Sequence, residues 1–247
     1  MGLRPLDISQ WFEVDETWDR HIAEKKALLA TQFDHVVAVL PECHDAAVEL
    51  RALVERHVGE TSAPDDHPLV GASRLVGDDL CIMQRDETAW RLTGAVVCFP
   101  SRWSLSSKLG ASLDEIHEPV PGYDRDLAAL THQFFDRLSV EKPMWRLNWT
   151  LLDNPDLFQP VPLRQPVTGD PGSWWFRVER QTLVRLEQSD AIVFTIRTYV
   201  TSLRDLVASH PETKSALLLA LETAPLHTQQ YKGWVGVAAA LRPWLNA

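Results

Sequence analysis

WWFRVERQTLVRLEQSDAIVFTIRTY, residues Trp174 to Tyr199, is the stretch on which the fold turns. Trp174, Phe176, Val178, Arg180, Thr182, Val184 and Leu186 alternate with the residues between them, the period of a strand. After the turn-like Gln188 to Asp190, Ile192, Phe194, Ile196 and Thr198 alternate with Val193, Thr195, Arg197 and Tyr199. Two such runs joined by a short turn predict an antiparallel hairpin, since parallel strands need a crossover of roughly a dozen residues. The alternation places Arg180 among apolar neighbours, where an unpaired guanidinium is costly. It needs an anion, either an internal carboxylate or the acid group of a bound cofactor. Glu179 falls on the opposite face beside Gln181, where its carboxylate either binds a cation or is solvated.

Working outward, Met144 to Leu151 alternates again, and Leu80 to Arg85 and Ala89 to Phe99 read as two strands joined at Asp86-Glu87. The second strand is expected at a sheet edge. Helical spacing predicts helices over about 17 to 30 and 42 to 58, and another over Asp124 to Leu138 with His132 solvated off its apolar stripe. Gly59 to Pro68 is a polar connector. Asp153 to Ser173 holds five prolines in a long irregular loop, a lid or a connector. From Ser202 the chain turns helical, with Pro211 suited to a helix start, Ala216 to Leu221 apolar nearly all round and therefore buried, and a closing segment to Trp244. The fold class is α+β: a mainly antiparallel sheet in a single domain, 1–247, with helical extensions over about 1–60 and 202–247.

The segment CFPSRWSLSSKLGASLDEIHEPVPGY, Cys98 to Tyr123, gathers helix-start and helix-stop signals around one histidine. Ser104 is placed to cap a short helix over Leu105 to Leu109 that Gly110 ends. Ser112 and Glu115 have capping-box spacing. Pro119 cannot continue a helix and pushes Glu118 towards an extended conformation, with Pro119-Val120-Pro121 as a rigid rail behind. His117 then sits on the last turn of a very short helix with an apolar flank, which suits an axial haem ligand. By spacing alone such a histidine more often caps a helix or faces solvent.

CFPSRWSLSSKLG, IHEPVPGY, RVERQTLVRL from Arg177, IRTY from Ile196 and Tyr231-Lys232-Gly233 together resemble the haem-dependent oxidative N-demethylase alpha-subunit-like family. The resemblance runs from near Trp11 to Gly233. It implies a PAS-like core in which short helices between strands cover a haem on the sheet face. On the matching motifs it implies His117 as proximal iron ligand and Arg180 or Arg102 pairing the propionates. Trp103, Pro119 and Arg197, in the same motifs, become further cofactor contacts, and Glu179 the counter-ion of a substrate ammonium. The cofactor would be haem b, held non-covalently because the chain has no CxxCH attachment motif.

The implied reaction is oxidative N-demethylation of a small secondary amine by dioxygen. Its electrons must come from a separate flavin/iron–sulfur reductase subunit, because this chain has neither a nucleotide fingerprint nor an iron–sulfur ligand set. A haem-based PAS-type gas or redox sensor without turnover is the alternative. A cofactor-free interaction domain on the same scaffold is a third.

Composition bounds the remaining choices. A formal charge of −10 over 247 residues disfavours sequence-independent nucleic-acid binding and suits cationic partners. No apolar run reaches the roughly 18 to 20 residues that span a bilayer, and MGLRPLDISQ lacks a signal-peptide core, so no membrane partner and a cytoplasmic location are expected. Cys43, Cys81 and Cys98 are odd in number and far apart, which reads as free core thiols. Ten tryptophans against three tyrosines offer flat surfaces for a planar cofactor or ordinary core. The sequence has no GxGxxG, P-loop, HExxH or GxSxG motif, which removes nucleotide-dependent and hydrolytic chemistries from the first choices.

Overall fold

The computed structural model describes residues 2–64, 67–123, 127–162 and 167–246. The hairpin forms as its alternation requires: β6 (Trp175–Arg185) pairs antiparallel with β7 (Ile192–Ser202), Arg180 opposite Arg197 and Val184 opposite Val193. β5 (Met144–Leu152) flanks β6, β3 (Asp79–Arg85) flanks β7, and β4 (Trp90–Val96) lies beyond β3. Two strands too short to show a period close the edges, β1 (Arg4–Pro5) on β5 and β2 (Val37–Val39) on β4. The order is β1-β5-β6-β7-β3-β4-β2. The strand that leads towards His117 is therefore not an edge strand, contrary to the sequence reading, because Val37 to Val39 covers it.

Helices cover both faces. On one, α1 (Trp18–Thr31), α2 (Phe33–Val36), α3 (His44–Val58) and α4 (Pro68–Ser73) bring Leu29, Val36, Leu50 and Leu69 against Leu80, Ile82, Val184 and Val193. On the other, α5 (Leu113–His117) and α6 (Ala128–Arg137) bring Leu113 and Phe135 against Cys81, Met83, Leu92 and Leu183. The first residues of the helix expected from Asp124 lie outside the described residues. A third cluster joins Leu151 and Trp174 to the C-terminal helices α7 (Leu203–Ser209), α8 (Thr213–Thr223) and α10 (Val237–Asn246), while α9 (Leu226–Lys232) contributes no buried residue to it. The architecture is the expected α+β class with an open antiparallel sheet, and it is compatible with a PAS-like core.

The run Ala216 to Leu221 is not buried all round. Leu217 and Leu221 face the core while Leu219 is 62% exposed, because α8 lies on the outside of its cluster and buries one stripe. The three cysteines are free and buried, as read from the sequence. Gly94 marks a close approach, since a Cβ there would lie 2.2 Å from Cys43 Sγ. No helix among the described residues is long and apolar enough to cross a membrane.

Candidate functional site

Five residues are too few to sustain a helix alone, so α5 depends on its ends. Ser112 supplies the predicted capping box: its Oγ accepts from Glu115 N at 3.3 Å, and Glu115 Oε2 accepts from Ser112 N at 2.7 Å. At the other end Lys108 Nζ donates to Ile116 O at 2.8 Å. Upstream the expected helix shrinks to a 3-10 turn over Leu105–Ser107. Ser104 does not cap it, because its hydroxyl is engaged with Ser106 Oγ at 2.9 Å.

The chain folds back directly after His117. Val120 N donates to His117 O at 2.7 Å and Tyr123 N to Val120 O at 3.1 Å. Glu118 is accordingly helical, at φ −46° and ψ −40°, and not extended as Pro119 alone would have it. These turns bring the Tyr123 ring parallel to the imidazole, with centroids 4.6 Å apart and planes 13° apart. Two turn hydrogen bonds and the ring stack offset the preference imposed by proline.

His117 Nδ1 lies 2.8 Å from Leu113 O. A carbonyl only accepts, so Nδ1 carries the proton and Nε2 the lone pair. Nε2 has no hydrogen-bond partner among the described residues. Burial pushes the imidazole below its ordinary pKa, and the nearby Arg146 and Lys108 charges push the same way against the Leu113 hydrogen bond and Asp114. A neutral, oriented imidazole results, with an Nε2 lone pair that no described residue engages.

The sheet on this side carries a connected polar row. Arg146 Nε donates to Gln181 Oε1 at 2.8 Å, and Gln181 Nε2 to Glu179 Oε2 at 3.0 Å. Asn148 Nδ2 donates to the same Glu179 oxygen at 3.3 Å, while Lys232 Nζ, from the end of α9, donates to Asn148 Oδ1 at 3.1 Å and Trp149 O at 2.8 Å. Beneath the row, fully buried Arg177 has its Nε 3.4 Å from Glu179 Oε1. Its terminal nitrogens donate to Phe99 O, to Leu157 O at 3.2 Å and to Thr198 Oγ1 at 3.3 Å. Burial holds Arg146 and Arg177 below the usual arginine range and pushes Lys232 down to about 8, with Glu179 acting in the opposite sense on all three.

The structure brings only some of the expected residues together. Trp103 packs against the cluster that holds α5, and Pro119 is half-buried two residues beyond His117. Glu179 lies on the same sheet face. Arg102, at a left-handed φ of 60°, pairs with Asp153 and donates from Nε to Gln159 Oε1 at 3.3 Å, which ties it to the loop after β5.

Arg180 and Arg197 lie on the opposite face. Arg180 donates to Gln10 O at 2.7 Å and Trp11 O at 3.0 Å and pairs with Glu13 at 3.0 Å, the internal carboxylate its apolar setting required. Arg197 holds His21 Nδ1 at 2.6 Å and Asp15 and Thr17 at 2.9 Å each. Both arginines anchor the N-terminal segment to the sheet. His132, expected off the apolar stripe and solvated, is part-exposed and bonds Asp114 at 2.9 Å.

The sequence reading missed Arg146, Asn148, Lys232 and Tyr123 as members of this site. Arg146 and Asn148 showed only as the polar side of an alternating strand. The register that sets them opposite Gln181 and Glu179 is a tertiary fact. Clefts open along the N-terminal segment among the described residues. One of about 680 Å³ lies on the far face, lined by Phe12, Trp18, Lys26, His57 and Arg74, and contains none of the expected site residues. Another, of about 220 Å³, is lined by Arg4, Trp145, Arg146 and Leu147 and adjoins the polar row.

Among the described residues no three His, Cys, Asp or Glu side chains converge on one point. Haem iron asks for a single axial imidazole and no such cluster. The family model described as haem-dependent oxidative N-demethylase, alpha subunit-like, matches residues 2–61 and 51–242. With nearly the whole length matched, this chain belongs to the haem-dependent oxidative N-demethylase alpha-subunit-like family.

Proposed function

We propose that this chain binds haem b on the α5 face of its sheet, with His117 Nε2 as axial ligand, and serves as the demethylating subunit of an oxygen-dependent oxidative N-demethylase. The observation that carries the reading is the oriented, neutral imidazole. Its Nδ1 is fixed to Leu113 O at 2.8 Å and one face is stacked on Tyr123, so the ring is held with an Nε2 that no described residue engages. Trp103, Ile116, Met144 and Phe194 supply apolar surface around the same cluster, and Pro119 lies half-buried two residues after His117. The family description supplies haem dependence and the reaction class.

When bound, haem would supply the oxidation of an N-methyl group by dioxygen, in which the amine, dioxygen, two electrons and two protons give the demethylated amine, formaldehyde and water. The chain's own residues bind and orient. Glu179, with 13% of its side chain exposed, is the carboxylate of the polar row and faces the ammonium of a small secondary amine. Asn148 and Gln181 fix both its position and its rotamer. The electrons come from a separate reductase subunit carrying flavin and an iron–sulfur cluster. Free buried thiols at Cys43, Cys81 and Cys98 agree with work in the reducing cytoplasm.

The test is formaldehyde release. Haem-loaded protein supplied with a chemical or enzymatic electron donor, air and a small dialkylamine should form formaldehyde in step with amine consumed. Clean reduction and oxygen binding with no formaldehyde from a panel of secondary amines would favour the sensor alternative.

A further inference from the structure

We propose that Arg146 and Lys232 form a carboxylate-binding pair on the His117 face, placed to hold the acid group of a bound cofactor or of an amino-acid-like amine. The proposal deepens the haem reading and rests on the ligand lying on that face.

The local charge balance motivates it. The chain carries a formal −10, yet Arg146, Arg177 and Lys232 surround Glu179 as three cations about one carboxylate. Glu179 is shared, since it accepts from Asn148 and Gln181 and lies close to Arg177, and one carboxylate does not balance three cations. Neither Arg146 nor Lys232 has an ion-pair partner among the described residues. Arg146 spends only its Nε, on Gln181, and its terminal nitrogens make no hydrogen bond among those residues. Lys232 gives two of its three donors to neutral oxygens, Asn148 Oδ1 and Trp149 O.

Packing sharpens the argument. Both cations are half-buried, and Lys232 Nζ lies 4.8 Å from the Trp234 ring centroid and 5.7 Å from that of Trp149. The rings ease the desolvation of the amine but provide no counter-charge. Partly dehydrated cations that share a single protein carboxylate are costly, and a bound carboxylate offsets that cost with charge-assisted hydrogen bonds. Burial acts on both groups in this sense, driving Lys232 down to about 8. Arg180 and Arg197 do not serve the purpose, since each is bound to the N-terminal segment on the other face.

Two carboxylate sources fit, haem propionate and the acid group of an N-methylated amino acid, and four probes separate them. Acetylation of Lys232 by acetic anhydride at about pH 8, where about half of this amine is deprotonated, is followed by peptide mass with protoporphyrin IX, its dimethyl ester, N-methylglycine and dimethylamine. Protection by protoporphyrin but not by its ester assigns the cofactor acid. Protection by N-methylglycine but not by dimethylamine assigns the substrate acid. In parallel, haem and haem dimethyl ester are titrated into wild type, Arg146→Gln and Lys232→Gln, with Arg146→Lys as the charge-preserving control and melting curves as the folding check. If the propionate is the ligand, wild type should prefer haem by about ten-fold, or 1.4 kcal/mol, and either Gln variant should lose most of that preference.

Equal acetylation with all four probes, with unchanged haem-to-ester ratios in both Gln variants, overturns the pair. The two readings fail differently. Protein that takes no haem while N-methylglycine still shields Lys232 overturns the haem reading and leaves the pair. Protein that takes haem and its ester equally, with Lys232 unshielded throughout, does the reverse.

Discussion

Glu179→Gln isolates the charge at the centre of the polar row, because glutamine keeps the shape and an acceptor for Asn148 or Gln181. What it removes is the negative charge beside Arg177, a guanidinium with no exposed surface. At the observed 3.4 Å separation, an effective dielectric near 20 makes the gross attraction about 5 kcal/mol. Part of that is offset in wild type by the desolvation of Glu179, and Arg177 keeps its bonds to Phe99 O, Leu157 O and Thr198. The net loss should be about 2–3 kcal/mol, below the 3–5 usual for breaking a well-formed buried pair. For a chain of this size that lowers the melting temperature by roughly 5–10 °C. Thermal and urea unfolding of Glu179→Gln, Arg177→Met and the double variant provide the assay. The double variant should recover at least half of the summed losses, since the uncompensated guanidinium is gone. Because Glu179 also sustains the protonated form of Lys232, the Lys232 pKa should fall further in Glu179→Gln. A single variant within about 0.5 kcal/mol of wild type, or strictly additive losses, would refute the pairing of Glu179 with Arg177.

Ser112→Ala removes the Ser112 side-chain cap from a helix of five residues. It should cost about 1 kcal/mol and weaken haem binding about five-fold through loss of His117 positioning, read from haem titration; unchanged affinity counts against α5 as the positioning element. Gly94→Ala puts a Cβ 2.2 Å from Cys43 Sγ and should destabilise by about 2–3 kcal/mol. Adding Cys43→Ala should return much of that loss in urea unfolding, and additive effects would show the contact is not the cause. Asp78 is fully buried with neither carboxylate oxygen hydrogen-bonded among the described residues, and burial raises its pKa to about 7 against the pull of Arg197, Lys25 and Arg180. A folded pKa above the unfolded one gives a contribution that is present below about pH 4 and lost as the pH climbs through about 7. His21, held near 3 by burial, acts oppositely, losing its contribution as the pH falls from 6.5 towards 3. The melting temperature of Asp78→Asn relative to wild type should therefore rise between about pH 4 and pH 8, and a pH-independent difference would contradict the assignment.

The parts of the fold that were legible in the sequence are those with a long period. β6 and β7, eleven residues each, show their alternation over several repeats, and the short turn between them leaves only antiparallel pairing. The Ser112–Glu115 box was legible because both its bonds are local. What stayed hidden depends on distant partners. Arg180 required an anion, but nothing in its neighbourhood names Glu13 as that anion. The face of Arg197 follows from the same alternation, yet its role as an anchor rests on Asp15 and His21, far away in the chain. Lys232 meets Asn148 and Trp149 O only because the end of α9 is brought against β5. Glu118 shows the converse, a local proline rule overridden by turns that close on Tyr123.

The central claim is that His117 Nε2 ligates haem iron, and the most direct measurement is the visible and electron paramagnetic resonance spectrum of haem-loaded wild type beside His117→Gly, with and without added imidazole. Wild type should show a histidine-ligated haem spectrum, with the pigment extractable by acidified butanone. His117→Gly should lose haem or that ligation, and imidazole should restore it. An unchanged Soret band, unchanged ferric signals and full occupancy in the variant without imidazole would place the ligand elsewhere and contradict the account.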